Sequence, residues 1–273
     1  MEGREIWTTS DLNPSKQQKN TKEKMTWIKN FHDDLLAKTL LDSRDSNTIE
    51  SDVLFLEKVL ELRPNQRILD QCCGHGTMSL ALAQKGYRVC GVDMTKEYIA
   101  SAQAKAEQFG LPIEFSCADA GTHLAPECDA VFNWWTGFGY SPTDKENISL
   151  IQRAFDSLRS GGIYLLDVPN LLGVARHFAP TVRREYHTDV GMITLTRHSS
   201  MDLCLGRMEK IWEYSAQDAL LARHHTSVRL YSSAELWHFF HDIGFRDIRL
   251  IGDLQETPLT IDHLRCMCIG RKP

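Results

Sequence analysis

The chain predicts an α/β fold in which a mostly parallel sheet carries helices on both faces and a short antiparallel β layer is inserted late. Three observations carry this. Apolar strand-like runs alternate with segments of helical period from residue 67 to residue 167. A glycine-bearing turn, Cys72-Cys73-Gly74-His75-Gly76, joins the first of those runs to a helical pattern. After Pro169 the pattern changes to short alternating runs separated by polar turns, which suits an antiparallel layer better than another crossover.

Taken in order, the first residues are polar and lysine-rich up to Lys24. The chain then turns amphipathic, with Trp27, Ile28, Phe31, Leu35, Leu36, Leu40 and Leu41 at helical spacing, so residues 1–50 are expected to form an N-terminal helical cap. Asn47, with Glu50 three residues on, reads as the cap of a helix that stops before Pro64. Core strands are expected at 67–70, 88–92, 113–117, 130–132, 163–167, 246–251 and 265–270, which makes a seven-stranded sheet. Helices are expected at 77–85, 97–109, 146–158 and 232–243, the last capped by Ser232 with Glu235 and ended by Gly244. Runs at 192–198, 201–205, 208–214 and 226–231 supply the antiparallel layer, an insertion at about 176–231 in a core spanning 51–273.

The turn and its surroundings point to a nucleoside cofactor. Gly74 and Gly76 let the backbone bend tightly and let a ligand approach where a Cβ would intrude, while Asp93, at the tip of the second strand, can accept hydrogen bonds from two ribose hydroxyls. A dinucleotide pattern needs a further glycine at position 79, which is Ser79, and Asp70 beside the turn would repel a pyrophosphate. A cationic ligand without phosphates suits the loop better.

Leu69-Asp70-Gln71-Cys72-Cys73-Gly74-His75-Gly76 resembles the first motif of the Rossmann-like (class I) S-adenosylmethionine-dependent methyltransferases of small-molecule type, and Gly91-Val92-Asp93 resembles the ribose motif that follows it. The likeness continues through Ala118-Asp119-Ala120, Cys128-Asp129-Ala130-Val131-Phe132-Asn133 and the run from Leu158 to Asp167, covering about residues 50 to 170. One departure is Cys72, where the family usually has a glycine. The resemblance implies a Rossmann-like sheet and S-adenosylmethionine as cofactor. It implies that Asp70, Cys73, Gly74 and Gly76 surround the methionyl end, that Asp93 holds the ribose and that Met94 lies beside the adenine. It also implies that Asp119 and Ala120 meet the adenine edge and that Asn133 borders the methionine and the transferred methyl. For Asp119 the competing reading is a turn acid that caps local amides.

Asn133-Trp134-Trp135-Thr136-Gly137-Phe138-Gly139-Tyr140 follows the fourth strand, at the crevice where open parallel sheets bind ligands. Trp134, Trp135 and Tyr140 are candidates to wall an acceptor pocket and shield a sulfonium from water. Adjacent residues of an extended segment point opposite ways, so one of the two tryptophans is expected to anchor the loop instead. In the insertion, Arg197 follows Ile193 and Leu195 on one strand face, and Arg229 shares a face with Tyr231, which makes both candidates to grip a carboxylate or other polar acceptor. A solvated face is the plain alternative for each. His177 and His198 are the histidines to test first as general base.

A net charge of −5 gives no general attraction to nucleic acid or anionic lipid. The loop after the fourth strand is not of the Asn/Asp-Pro-Pro-aromatic type, and no RNA-binding module is evident. No stretch reaches the length of a membrane span, and the charged start lacks a signal-like apolar region, so a cytoplasmic protein is expected. Eight cysteines fall at spacings unlike those of zinc sites and read as buried free thiols, so no metal is expected. The expected function is methyl transfer to an O or N atom of a small metabolite, in a specialised biosynthetic pathway. Alternatives are a catalytically inactive cofactor-binding partner protein, an RNA or tRNA methyltransferase and, third, a nucleotide-dependent oxidoreductase.

Overall fold

The structure, a computed structural model, describes residues 46–135, 137–188, 191–217 and 219–273. The helical pattern over residues 27–41, and with it most of the expected N-terminal cap, lies outside the described residues.

Eleven strands and six helices are described. Helix α1 (Ser46–Val59) precedes β1 (Arg67–Gln71), α2 (Thr77–Gln84), β2 (Arg88–Asp93), α3 (Lys96–Gln108), β3 (Glu114–Cys117), β4 (Cys128–Asn133), α4 (Asp144–Ser157) and β5 (Leu158–Pro169). After the short α5 (Leu171–Arg176) come β6 (Thr181–Thr188), β7 (Gly191–Asp202), β8 (Arg207–Ala216) and β9 (Ala219–Arg229), then α6 (Ser233–Ile243), β10 (Arg246–Ile251) and β11 (Arg265–Arg271). Ser46 and Asn47 are already helical, so Asn47 is not the N-cap of α1.

The main sheet has the order β10-β11-β5-β4-β1-β2-β3, and only β11 runs against its neighbours. The seven expected core strands are all present. Period-two alternation builds a core on each face. Leu69, Val131, Tyr164 and Leu166 pack with Leu150 and Ile151 of α4 and Leu236 and Phe240 of α6. Ile68, Ala130, Phe132 and Leu165 pack on the other face with Phe55 and Leu56 of α1 and Met78 and Leu82 of α2. The chain leaves β1 towards β2 on one side and returns through β4 on the other. The carboxyl ends of β1 and β4 therefore flank the point where strand order reverses, the place where such sheets bind ligands.

The insertion is a separate antiparallel sheet of order β6-β7-β8-β9. Its strands differ from the expected ones. β6 was absent from the sequence reading because it is an edge strand, mostly exposed, with no apolar alternation to reveal it. The expected strand over 201–205 is instead a turn, since Asp202 closes β7 and its carboxylate accepts the amides of Cys204 and Leu205 at 2.9 Å. Cys117 and Cys204 are exposed, which corrects the reading of all eight cysteines as buried.

Candidate active site

The turn after β1 is built on three left-handed residues, Cys72 (φ 57°), Gly74 (φ 55°) and Gly76 (φ 73°). The two glycines serve different ends. A Cβ on Gly74 would meet nothing within 4 Å, so this glycine leaves room for a ligand; a Cβ on Gly76 would lie 2.8 Å from the Phe115 ring, so this one lets α2 pack on the sheet. Cys72 adopts the same region as a non-glycine, a conformation that costs about 1 kcal/mol or more. Its side chain is directed towards the loop after β4, where a Cβ on Gly137 would lie 2.6 Å from Cys72 Cβ. Gly137 is therefore the residue that lets the two turns touch.

Asp93 ends β2 with each carboxylate oxygen accepting one backbone amide, Gly74 N–H at 3.0 Å and Thr95 N–H at 2.8 Å. A carboxylate oxygen has two lone pairs, so both can accept a further donor from a ligand. Asp70 is buried and accepts the Ser79 hydroxyl at 2.6 Å; burial, helped by the charge of Asp93, pushes its carboxyl up to about 7. Burial likewise pushes the thiols of Cys72 and Cys73 up, so neither is an activated nucleophile. Asn133 is fully buried at the end of β4, its Oδ1 accepting Gly137 N–H at 3.1 Å. Met94 is 43% exposed beyond Asp93, and Ala120 is buried in the core. Asp119 Oδ1 accepts Gly121 N–H at 2.8 Å, so this residue does cap its own turn.

Asp70, Cys72, Cys73, Gly74, Trp134 and Trp135 line one cleft with His75, Thr77 and Met78, enclosing about 480 Å³ of empty space, part of it open to solvent. The sequence reading did not single out His75, Thr77 or Met78. His75 was legible only as the variable residue of the turn, and its ring lies 4.1 Å from that of Tyr98.

Both tryptophans line the cleft but they differ in burial, and Trp135 at φ 64° leaves the extended conformation from which the sequence argument started. Trp134 is buried; its Nε1–H donates to Asp52 of α1 at 3.2 Å, and its ring lies 5.6 Å from Phe55 and 4.5 Å from the Arg265 guanidinium. Arg265 in turn makes a two-pronged pair with the fully buried Asp167, at 2.9 and 2.7 Å. Asp167 Oδ2, which accepts one of those two prongs, also accepts the backbone N–H of Trp135 at 2.9 Å, holding that residue at φ 64° on the cleft wall. No pattern in the sequence links Asp52, Asp167 and Arg265, which are brought together by three different elements.

The insertion sits on the loop after β4. Arg229 N–H donates to the Gly139 carbonyl at 2.8 Å, and Arg207 reaches the Ser141 carbonyl at 3.3 Å. Tyr140 packs with Met208, Val228 and Leu230 of the insertion. The surroundings of three candidates point to structural or solvent-facing places. Arg229 is committed to structural contacts: it bonds Glu235 at 2.9 Å, the carbonyls of Leu230 and Gly206, and covers the Tyr231 ring. His198 lies on the face of β7 opposite Arg197, half-exposed beside Glu213 and Thr181. His177 caps the C-terminus of α5 and is exposed. Arg197 does share the buried face of Ile193 and Leu195, its guanidinium 5.5 Å from the centre of the Trp212 ring.

Residues 68–162 match the family described as "Methyltransferase domain". The chain is 28% identical over 195 residues to YqeM of Bacillus subtilis, a protein assigned as a methyltransferase without a stated substrate; the match covers 70% of this chain and 78% of that one. A shorter match, 36% over 97 residues, is to human tRNA (uracil-5-)-methyltransferase homolog A, covering 33% of this chain and 16% of the relative. Among solved structures, an S-adenosylmethionine-dependent methyltransferase from Clostridium acetobutylicum superposes with a TM-score of 0.72 at 15% identity, covering 87% of this chain and 96% of its own. CalS10, an amino pentose methyltransferase from Micromonospora echinaspora solved with S-adenosylmethionine bound, gives 0.66 at 13% identity with both chains fully covered. At such identities the superpositions establish the fold alone.

Proposed function

We propose that this protein, an S-adenosylmethionine-dependent methyltransferase, transfers its methyl group to an O or N atom of a small metabolite bound between the loop after β4 and the inserted sheet. The observation that carries the reading is the cleft in which the open side of Gly74, the buried acid Asp70 and the ring of Trp135 converge. When bound, S-adenosylmethionine supplies an electrophilic methyl on a sulfonium. In this reading Asp93, Met94, Asp119 and Ala120 hold the ribose and adenine end, while Asp70, Cys73, Gly74, Gly76 and Asn133 surround the methionine end. Asp70 has no cationic partner among the described residues, and a positively charged ligand group would let it ionise where it is buried. Trp135 and Tyr140 exclude water and orient the acceptor, so the chain contributes positioning and desolvation.

Several observations support a small acceptor. The inserted sheet docks on the loop after β4, the net charge is −5, and the match to the uracil methyltransferase covers a third of this chain. That same match makes RNA the second reading. On the first reading the unit spans 51–273 with an acceptor-side insertion at about 176–231. Among the described residues no helix is long and apolar enough to cross a membrane, and we place the protein in the cytoplasm.

Calorimetry tests the cofactor: heat is expected with S-adenosylmethionine and with its demethylated product, and none with NAD or NADP. Asp93→Ala is expected to weaken binding by about 1.5–3 kcal/mol, the scale of hydrogen bonds to a charged group. A mass-spectrometric screen for the gain of one methyl group, run in parallel on metabolite pools and on unmodified tRNA and rRNA, decides the acceptor. Transfer to RNA alone would overturn the small-molecule reading.

A further inference from the structure

The inserted sheet sorts its charges by face. In an antiparallel ladder directly opposed residues lie on one face, so Arg197 opposite Trp212, and Lys210 opposite both Ser199 and Thr226, share a side. Glu209 and Glu213 alternate with these residues along β8 and lie on the other side, where Glu209 pairs with His225 at 2.9 Å and Glu213 with Arg223 at 3.3 Å. The acids of β8 are thus turned away from Arg197 and Lys210.

The cationic side is the one that meets the core. Two residues before Lys210 on the same face, Met208 packs with Tyr140 of the loop after β4 and with Leu171 and Val174 of α5. By strand rise, Lys210 stands about 7 Å further along the same surface. On its far side the band is bounded by the buried Ile193, Leu195 and Tyr214. Lys210 Nζ and the Arg197 guanidinium lie 5.7 and 5.5 Å from the centre of the Trp212 ring, whose electron-rich face is their main compensation. Neither forms an ion pair among the described residues, and Arg197 Nε is buried with no hydrogen-bond partner there. Thr226, also buried, accepts the Trp212 indole N–H at 3.0 Å and keeps its own proton to donate.

We propose that Arg197 and Lys210, with Thr226 beside them, form a binding site for an oxyanion, a carboxylate or phosphate group carried by the methyl acceptor. Like charges held together and partly removed from water are costly unless an anion completes them. In keeping with this, burial and the charge of Arg197 push the Lys210 ammonium down to about 8. The planar fork of Arg197 suits a carboxylate or phosphate edge, and Lys210 adds a point charge. The proposal deepens the reading of a small acceptor beneath the insertion and rests on it.

The test uses the full chain and the indole N–H resonance of Trp212, assigned through Trp212→Phe, during titration with acetate or inorganic phosphate at constant ionic strength set by chloride. A saturable shift is expected with at least one of the two anions, and the stronger of them identifies the oxyanion. Arg197→Met and Lys210→Met keep the apolar stems and are each expected to weaken that binding about tenfold or more, the scale of one lost charged contact. Lys210→Arg should retain it, and affinity for S-adenosylmethionine should be unchanged throughout. If Lys210→Met does not fold, Lys210→Gln takes its place. An indole resonance that ignores both anions, or a shift that survives loss of either cation, overturns the proposal, as does an equal loss of cofactor affinity, which would make the pair structural support. Absence of cofactor binding by the unaltered chain would instead defeat the methyltransferase reading and leave the anion titration standing.

Discussion

Two arginines, each stacked over a tryptophan, mark the difference between the scaffold of the site and the part turned towards a ligand. Arg265 lies over Trp134 and is closed by Asp167, which more than offsets the burial that alone would lower its pKa. Arg197 lies over Trp212 with a second cation near it and no acid, and its pKa is lowered, chiefly by burial. Asp70 is the same case with the sign reversed, a buried acid bonded to a serine hydroxyl. Where a buried charge is completed within the fold it holds elements together. Where it is left incomplete, burial keeps it poised for an opposite charge from outside.

Breaking the completed pair should have the largest effect. Arg265→Met leaves Asp167 buried without its cation and is expected to lower stability by about 3–5 kcal/mol in urea titrations. A loss near zero would show that Asp167 is not held by this pair. Trp134→Ala, which opens a cavity against Phe55 and removes a hydrogen bond to Asp52, should cost about 3 kcal/mol or somewhat more.

The uncompensated acid should show itself through pH. Its folded pKa of about 7 lies above the ordinary value of 3.8, so between these limits the folded state binds more protons than the unfolded one. Stability of the ligand-free protein should therefore fall as pH rises from about 4 to about 7 by this contribution, and cofactor affinity should rise over the same range. Asp70→Asn should remove both dependences, read by denaturation and calorimetry at several pH values. Equal slopes in the two proteins would place the titration elsewhere.

Smaller effects are expected on the ligand-facing side. Trp135→Gly deletes the ring and also relieves a left-handed backbone, so stability should change by no more than about 1 kcal/mol while turnover drops about 10- to 100-fold through lost positioning. Full activity in this variant would move the acceptor pocket away from the cleft. Arg197→Met should be the mildest for stability, within about 0.5 kcal/mol or slightly stabilising, because it removes a charge that no carboxylate completes. A cost like that of Arg265→Met would mean that Arg197 is scaffold after all.

The core sheet and the cofactor turn were readable residue by residue because their signals are local. Period-two apolar runs, the glycines at 74 and 76 and an acid at a strand tip are written within one or two neighbours of where they act. The edge strand β6 left no such signal, since its inner face is only half-buried and carries Arg184 between Val182 and Tyr186. Arg229 and Arg197 looked alike for a similar reason. Arg197 follows apolar residues on a strand face and Arg229 shares one with Tyr231, and only the docking of Glu235 and Asp144 against Arg229 decides that it is tied down.

Sequence alone therefore determined the strands of the core sheet and the glycine turn after the first of them, since these follow from short-range periodicity and turn geometry. Tertiary structure decided which tryptophan became the anchor, joined Asp167 to Arg265 across 98 residues and turned the acids of β8 away from its cations. Completion of a buried charge depends on which elements pack together, and packing between distant segments leaves no mark in the local pattern of either one.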